Sequence, residues 1–456
     1  MDIINTSFIK KFILFSSILI FLIPIAQVTG PFFTDLFISL TALFYLVVII
    51  IFNRKLHNNN LILNLLIFFW IYILLISIIS DYRSLSIKPS VTFIRFIIFT
   101  YAILFLIQNK KNFFEIFNIF LSITLLVVIL DGYFQFIFGH NIIGLEKMRP
   151  DRLSGFFGEE LVLGSFLSKL FPIVCFLYYH HIKYKKIKIL NTLVILLIIP
   201  LIFLSGERSA FFLTLLFSAL ILPMIFSIKK FLIIGFSLIF FGLIIINLNS
   251  VIYDRYIIQL VDHVRIIMVL DERGKWRNIK DPDLKEDPNL INYKKETIYF
   301  PEHIGLFNSA YNNFLKNKIK GSGVKTFREV CKNNESNYKK YLLKIKSNMD
   351  FCSTHPHNYY LQFLTETGLI GFVFLCSLFV YCIFNYLKCS VHYFMNKLNN
   401  LNLFQKYIIL LSGTIMHLWP ITTTGNFFNN WNSSFIFIHF SLFLYISHEY
   451  SNRSKK

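Results

Sequence analysis

Residues 189–227 read ILNTLVILLIIPLIFLSGERSAFFLTLLFSALILPMIFS. Two uncharged apolar runs, 189–205 and 209–227, flank a turn that holds the only charges of the stretch, Glu207 and Arg208. Each run approaches the roughly 20 residues that a helix needs to cross the hydrocarbon of a bilayer. In lipid only helices and closed barrels satisfy every backbone group. The apolar character here is continuous rather than alternating, so the runs are helices. This hairpin sets the fold class: an all-α integral membrane protein.

Working outward, the same pattern recurs along the chain. Further runs at 12–28, 32–52, 61–80, 91–108, 113–138, 161–180, 231–248, 358–387, 404–423 and 433–448 predict about twelve transmembrane helices. Only 15% of the residues are charged and 55% are hydrophobic, against about a quarter charged in a soluble domain. The formal net charge of +20 does not indicate a nucleic-acid partner. Its Lys and Arg sit in short clusters between apolar runs, as the positive-inside rule expects, and a bias toward Phe, Ile, Asn and Lys adds to the excess.

Those clusters set an expected orientation. Lys10-Lys11, Arg54-Lys55, Lys110-Lys111, Lys183 through Lys188, Lys229-Lys230, Lys388 with Lys397, and Arg453, Lys455 and Lys456 all fall on one side. That side is read as cytoplasmic, with both termini there, in a bacterial inner membrane. The expected organisation is nine transmembrane helices over 1–248, a large periplasmic loop over 249–357, helices ten to twelve over 358–448 and a cytoplasmic tail over 449–456. Lys10-Lys11 before an apolar stretch mimics a signal peptide, but no small-residue cleavage site follows, so the first helix is read as retained. No period of 20 to 50 residues marks a repeat architecture.

The ionisable groups inside the runs gather toward the outer ends: Arg95, Asp131, Glu159, Glu160, Lys169, Glu207, Arg208, Glu366 and His417. Such groups are expensive in a membrane and usually functional, and the pattern suggests a cavity opening to the outer leaflet. A transporter or flippase, the alternative reading, should carry polar groups at the midplane, which these runs lack. A receptor or assembly module is a third reading.

The densest motif runs Cys352-Ser-Thr-His355-Pro356-His357-Asn358-Tyr-Tyr-Leu-Gln362-Phe-Leu-Thr-Glu366-Thr-Gly368. Pro356 suits the first turn of a helix, with Ser353 or Thr354 as its cap. His357 would then lie on free backbone N–H groups at the positive end of the helix dipole, which disfavours imidazolium. Asn358, Gln362 and Glu366, spaced i, i+4 and i+8, form one polar stripe that should face protein or water rather than lipid. The histidines could instead merely cap a helix, or bind zinc with Cys352 and Cys331. Those two are the only cysteines of the 249–357 segment, and an oxidising exterior would permit them to pair. Closing that loop contributes roughly 3 kcal/mol in the chain-entropy model. Cys175, Cys376, Cys382 and Cys389 lie in or beside spans and read as packing residues.

A second motif, Arg149-Pro-Asp-Arg152-Leu-Ser154-Gly155-Phe-Phe-Gly158-Glu159-Glu160, precedes the sixth run, and Ser205-Gly206-Glu207-Arg208-Ser209-Ala210 forms the turn quoted first. Arginine forks bind phosphate oxygens bidentately, which makes Arg149, Arg152 and Arg208 candidates for a diphosphate.

Four blocks in order resemble the O-antigen ligases and O-antigen polymerases: Arg152 to Gly164, Ser205 to Ala210, Lys320-Gly321-Ser-Gly323 followed by Phe327-Arg328, and His355 to Gly371. The resemblance spans about residues 145–375. It implies a GT-C-type glycosyltransferase without metal or cofactor. Such enzymes take a glycan from an undecaprenyl diphosphate carrier. Ligases pass it to a lipid A-core sugar and polymerases to another carrier-linked repeat unit, often with a chain-length regulator as partner. Carried over, Arg152 and Arg208 would hold the diphosphate and a histidine of the His-Pro-His-Asn block would engage the acceptor. Glu159-Glu160 stands where many relatives have Pro-Asn, and Tyr299-Phe-Pro-Glu-His303 where many have an arginine. Arg255, His303 and Arg328 are the candidates for a second loop cation, and Glu160 and His303 join the supporting residues. The chemistry suits the residues, because guanidinium groups offset charge on a departing diphosphate and histidine titrates near neutral pH. His357, nearer the polar stripe, is favoured over His355 as base.

Overall fold

The structure is a computed structural model. It describes residues 7–51, 61–182, 184–259, 265–270, 276–278, 294–298, 301–332, 352–396 and 400–454. Arg54-Lys55, Lys183, Lys397 and Lys455-Lys456, invoked for orientation, lie outside the described residues.

Every apolar run is helical. The helices are α1 Ser7–Thr29, α2 Pro31–Ile51, α3 Leu61–Ile78, α4 Arg83–Asn109, α5 Phe113–Phe138, α6 Leu163–His180, α7 Lys185–Leu204, α8 Arg208–Ile225 and α9 Ile228–Leu248. After the long segment come α13 Tyr359–Glu366, α14 Gly368–Phe394, α15 Leu401–His417 and α16 Asn430–Ser454. Among the described residues eight helices are long and apolar enough to cross a membrane, or nine if the bent pair Gly235–Leu248 and Ser250–Ile258 counts as one span. The protein is therefore a multi-pass membrane protein. Helix α15 has only 17 residues and α6 carries Lys169 and several Ser, Tyr and His residues, so neither is counted. They pack against each other at the centre of the bundle, with α16 and α8 around them, and nearly all of their residues are buried. A helix shielded from lipid by its neighbours can carry Ser, Lys and His.

Two sequence expectations need correction. The run 404–423 stops at His417 because Pro420 follows; the residue before a proline is pushed out of the helical region. The tenth helix is broken. Thr367 leaves helical geometry and Gly368 has φ +66°, so the chain splits into α13 and α14. The all-α membrane class stands, with one small sheet beside the helices. Between α9 and α13 lie α10 Ser250–Tyr253, α11 Pro301–Lys316 and α12 Phe327–Lys332, together with strands β1 Arg265–Leu270, β2 Trp276–Asn278 and β3 Lys294–Ile298. β1 pairs antiparallel with both others. Ile266, Ile267 and Val269 are β-branched residues of the kind that favour strands, and this stretch had no assigned fold in the sequence.

Several polar groups near the helix ends are structural. Arg95 on α4 pairs with Asp35 of α2 at 2.6 Å and donates to Asn430 at 2.8 Å, which ties α2, α4 and α16 together. Asp131 accepts the Ile142 N–H at 2.9 Å and fixes the loop leaving α5.

Candidate active site

Two short turns meet at the first half of the site. The loop before α6 docks on the α7–α8 turn through the Leu153 N–H, which donates to the Ser205 carbonyl at 3.2 Å. Gly206 has φ +73°, and a Cβ there would run into the Asp151 carbonyl. Only glycine allows that approach. Arg149 grips the Asp151 carboxylate with two bonds of 3.1 Å, and Arg255 reaches the same carboxylate at 3.3 Å while donating to the Gly206 carbonyl at 2.9 Å. Arg152 donates to the Leu161 carbonyl at 2.7 Å and lies 3.9 Å from Glu207. Arg208 opens α8. Burial lowers the Arg255 pKa, and Arg208, Arg152 and Arg149 push it the same way against Asp151. Four guanidinium groups therefore share one electrostatic neighbourhood.

Glu207 does a different job from its neighbour. Its buried carboxylate accepts the Gly164 N–H at 2.6 Å, the Ser165 N–H at 3.1 Å and the Ser165 hydroxyl at 2.6 Å. It thus occupies the amide-rich start of α6, a natural anion position. Burial raises its pKa, opposed by those hydrogen bonds and by Arg152.

The second half is the His-Pro-His-Asn loop, and here the expected helix start is wrong. Asn358 is the cap of α13: its side-chain oxygen accepts from the Tyr360 and Leu361 N–H groups at 2.9 and 3.1 Å. Neither Ser353 nor Thr354 caps it, and Pro356 precedes the helix. His357 has φ +54°, outside the helix, so it does not sit on helical N–H groups. Asparagine is simply the better cap, being adjacent to the first apolar turn. The Asn358 amide donates to the carbonyls of Pro420 and Thr422 at 2.7 and 3.3 Å.

Three imidazoles line up at this loop. His357 lies 4.2 Å from His355 and 5.0 Å from His303 of α11, centre to centre. His355 is committed at both nitrogens: Nε2 bonds the Thr424 carbonyl at 3.2 Å and Nδ1 the Thr354 hydroxyl at 2.9 Å. A carbonyl can only accept, so Nε2 carries the proton and Nδ1 accepts. Among the described residues the ring nitrogens of His357 make no hydrogen bond. Thr424 also donates its N–H to the His357 carbonyl at 2.8 Å, which holds the strained residue in place. Burial lowers both pKa values to about 4, helped for His357 by His355 and His303.

The polar stripe is reduced to two residues and faces protein. Gln362 donates to Glu366 at 3.0 Å and to Asn426 at 2.9 Å, and accepts the Phe427 N–H at 2.9 Å. Glu366 also accepts the Phe327 N–H at 3.3 Å. Its role is to fasten α12 to α13. The Lys320-Gly-Ser-Gly323 block belongs to the same scaffold. The N–H groups of Ser322 and Gly323 donate to the carbonyls of Thr365 and Glu366 at 3.0 and 2.8 Å, and that of Leu369 to Lys318 at 2.8 Å. A Cβ on Gly368 would strike the Ile319 carbonyl.

Cys331 and Cys352 form a disulfide with Cα atoms 5.2 Å apart, tying α12 to the start of the histidine loop. Both sulfurs of the zinc alternative are thereby used. Glu160 and Arg328 are exposed, and Arg149 is half-exposed and already paired. These three are not drawn into the buried site.

A cavity of about 60 Å³ lies between the halves. Ser209 beside Arg208 and Thr424 beside the histidines line it, with Ser165, Lys169 and His417. Lys169 and His417 were legible only as outer-end charges; nothing in their spacing ties residues from α6 and α15 to one cavity. Thr424 gave no sequence signal at all.

Residues 193–376 match the family model Wzy_C, described as O-antigen ligase. The match covers the Arg208 turn, the long segment and the histidine loop. No curated protein matches the chain.

Proposed function

From that match, which bears out the family resemblance over residues 193–376, we propose that the protein is a glycosyltransferase taking a glycan from an undecaprenyl diphosphate carrier. The acceptor is a sugar hydroxyl, on lipid A-core for a ligase or on another carrier-linked glycan for a polymerase. The reaction runs at the periplasmic face, with both termini cytoplasmic and the twelve long helices spanning the inner membrane.

One observation carries the reading: guanidinium groups cluster at the α7–α8 turn, three imidazoles line up at the loop before α13, and a small polar cavity lies between the residues that follow each. The acceptor oxygen attacks the anomeric carbon, and the bond from that carbon to the phosphate oxygen breaks. The diphosphate leaves with the electron pair and is steadied by Arg152, Arg208 and Arg255. The hydroxyl proton passes to His357, whose ring nitrogens make no hydrogen bond among the described residues. His355 fixes the loop instead. Attack opposite the leaving group inverts the anomeric centre, and no step requires a metal.

The test is transfer from a purified undecaprenyl diphosphate glycan in the presence of chelator. Transfer by the wild type, lost on Arg208→Ala and His357→Ala at normal protein level, supports the reading. Undiminished transfer by both variants would overturn it. A deletion strain then separates the two acceptors. Polymer left on the carrier beside bare lipid A-core marks a ligase, and single repeats on lipid A-core mark a polymerase.

A further inference from the structure

The cavity between the two halves holds a cation that the mechanism above does not use. Lys169 lines it from α6. Its ammonium donates to the Asn432 side-chain oxygen and lies over the rings of Trp431 at 4.6 Å and Phe435 at 5.3 Å. Among the described residues no carboxylate forms an ion pair with it. The acidic group that acts on it, Glu207, is spent on the N-terminus of α6. An ammonium has three donors, and a buried charge without a counter-ion is costly. The aromatic faces offset part of that cost, but they take no hydrogen bond of comparable strength.

The far wall is also unfinished. His417 is 9% exposed and its Nε2 has no hydrogen-bond partner, as is true of the Thr424 hydroxyl. Both residues line the same cavity, as do Ser209 and Ala210 in the first turn of α8, whose leading N–H groups have no intrahelical acceptor. A cation, a helix start and unspent polar atoms converge on a space of about 60 Å³. At about 10–15 Å³ per water-sized occupant, the four oxygens of a phosphate fit.

We infer that this cavity is a phosphate pocket, in which Lys169 binds one phosphate of a lipid-linked diphosphate and the Thr424 hydroxyl donates from the opposite wall, beside His417. The assignment rests on the donor class proposed above. It places the two phosphates on different cations: one at the arginine corner, the other deeper, beside the histidine loop.

The experiment uses the full chain in lipid nanodiscs and measures binding of undecaprenyl diphosphate and undecaprenyl monophosphate. Lys169→Met keeps the length and packing of the side chain and removes the charge. It should weaken the diphosphate by about tenfold or more and the monophosphate by less, and Lys169→Arg should recover most of the loss. Equal diphosphate affinity in wild type and Lys169→Met overturns the inference. Should Lys169→Met fail to fold, the wild type supplies the answer. Undecaprenyl diphosphate should protect Lys169 from an amine-acylating reagent, read by peptide mass spectrometry, and equal labelling with and without it overturns the inference. A wild type that binds neither lipid defeats the donor class, and this assignment with it. A wild type that binds beside an unaffected variant defeats this assignment alone.

Discussion

The imidazole of His357 stacks on that of His303, 5.0 Å apart and inclined by 24°, although the two residues stand at opposite ends of the stretch from α11 to the histidine loop. The contact makes α11 part of the wall behind the proposed base. With the rings held in register, His303 makes protonation of His357 harder, adding to burial and to His355.

His357→Ala should lower transfer by roughly 10²–10⁴-fold, the usual contribution of one positioned base. His355→Ala should act differently, through the loop. Its effect should grow with temperature and be accompanied by a lower melting temperature, because the Thr424 and Thr354 bonds go with it. Single-turnover rates at two temperatures separate the cases.

The pH profile follows from burial. An ordinary histidine loses its basic form below about pH 6.5, whereas His357 is held down to about 4. Transfer should stay level from neutral pH to roughly pH 5 and fall only beyond it. The folded pKa lies below the unfolded one, so neutral His355 and His357 favour the fold above the unfolded value near 6.5. That contribution is lost as pH falls through 6.5 toward about 4. His303→Gln should move the acid limb of the rate upward. An acid limb that stays fixed in this variant would deny the coupling between the stacked rings.

Glu207→Ala removes the acceptor for three donors at the start of α6. Leaving those groups unsatisfied should cost about 2–4 kcal/mol, read as a lower melting temperature in detergent. Glu207→Gln retains one acceptor and should recover about half of it.

Gly368→Ala should reduce the folded yield sharply. Its φ of +66° is costly for alanine, and a Cβ meets the Ile319 carbonyl, so about 1–3 kcal/mol is expected from strain alone. Gly235→Ala, on α9 with open space around it, is the control. Fluorescence size-exclusion profiles of the two variants give the comparison.

Reducing the Cys331–Cys352 bond, or Cys331→Ser with Cys352→Ser, should cost roughly 2–4 kcal/mol of local stability. Hydrogen exchange at α12 and at residues 352–358 should rise, with α1 to α5 unchanged.

The helices were legible because hydropathy acts residue by residue, and each apolar run fell where a helix stands. Their ends were less so, since Arg83 and Lys88 start α4 before any apolar signal. The arginine and histidine motifs were legible as chemistry but not as geometry. Pro356 looked like a helix start until Asn358 outbid it as a cap. The Gly321–Gly323 and Gly368 blocks looked like parts of a site and are a backbone seam. Lys169 and His417 escaped because the cavity joins α6, α8 and α15, whose proximity no local pattern encodes.

The wall of that cavity has a consequence for how the protein is made. Thr424, which pins both histidines, and Asn432, which holds Lys169, leave the ribosome long after Arg152, Lys169 and Arg208. A nascent or prematurely ended chain therefore has its cations but neither of those two supports. Competence for chemistry arrives only once Asn432 has been made and α16 has docked, so a half-inserted chain has no finished centre.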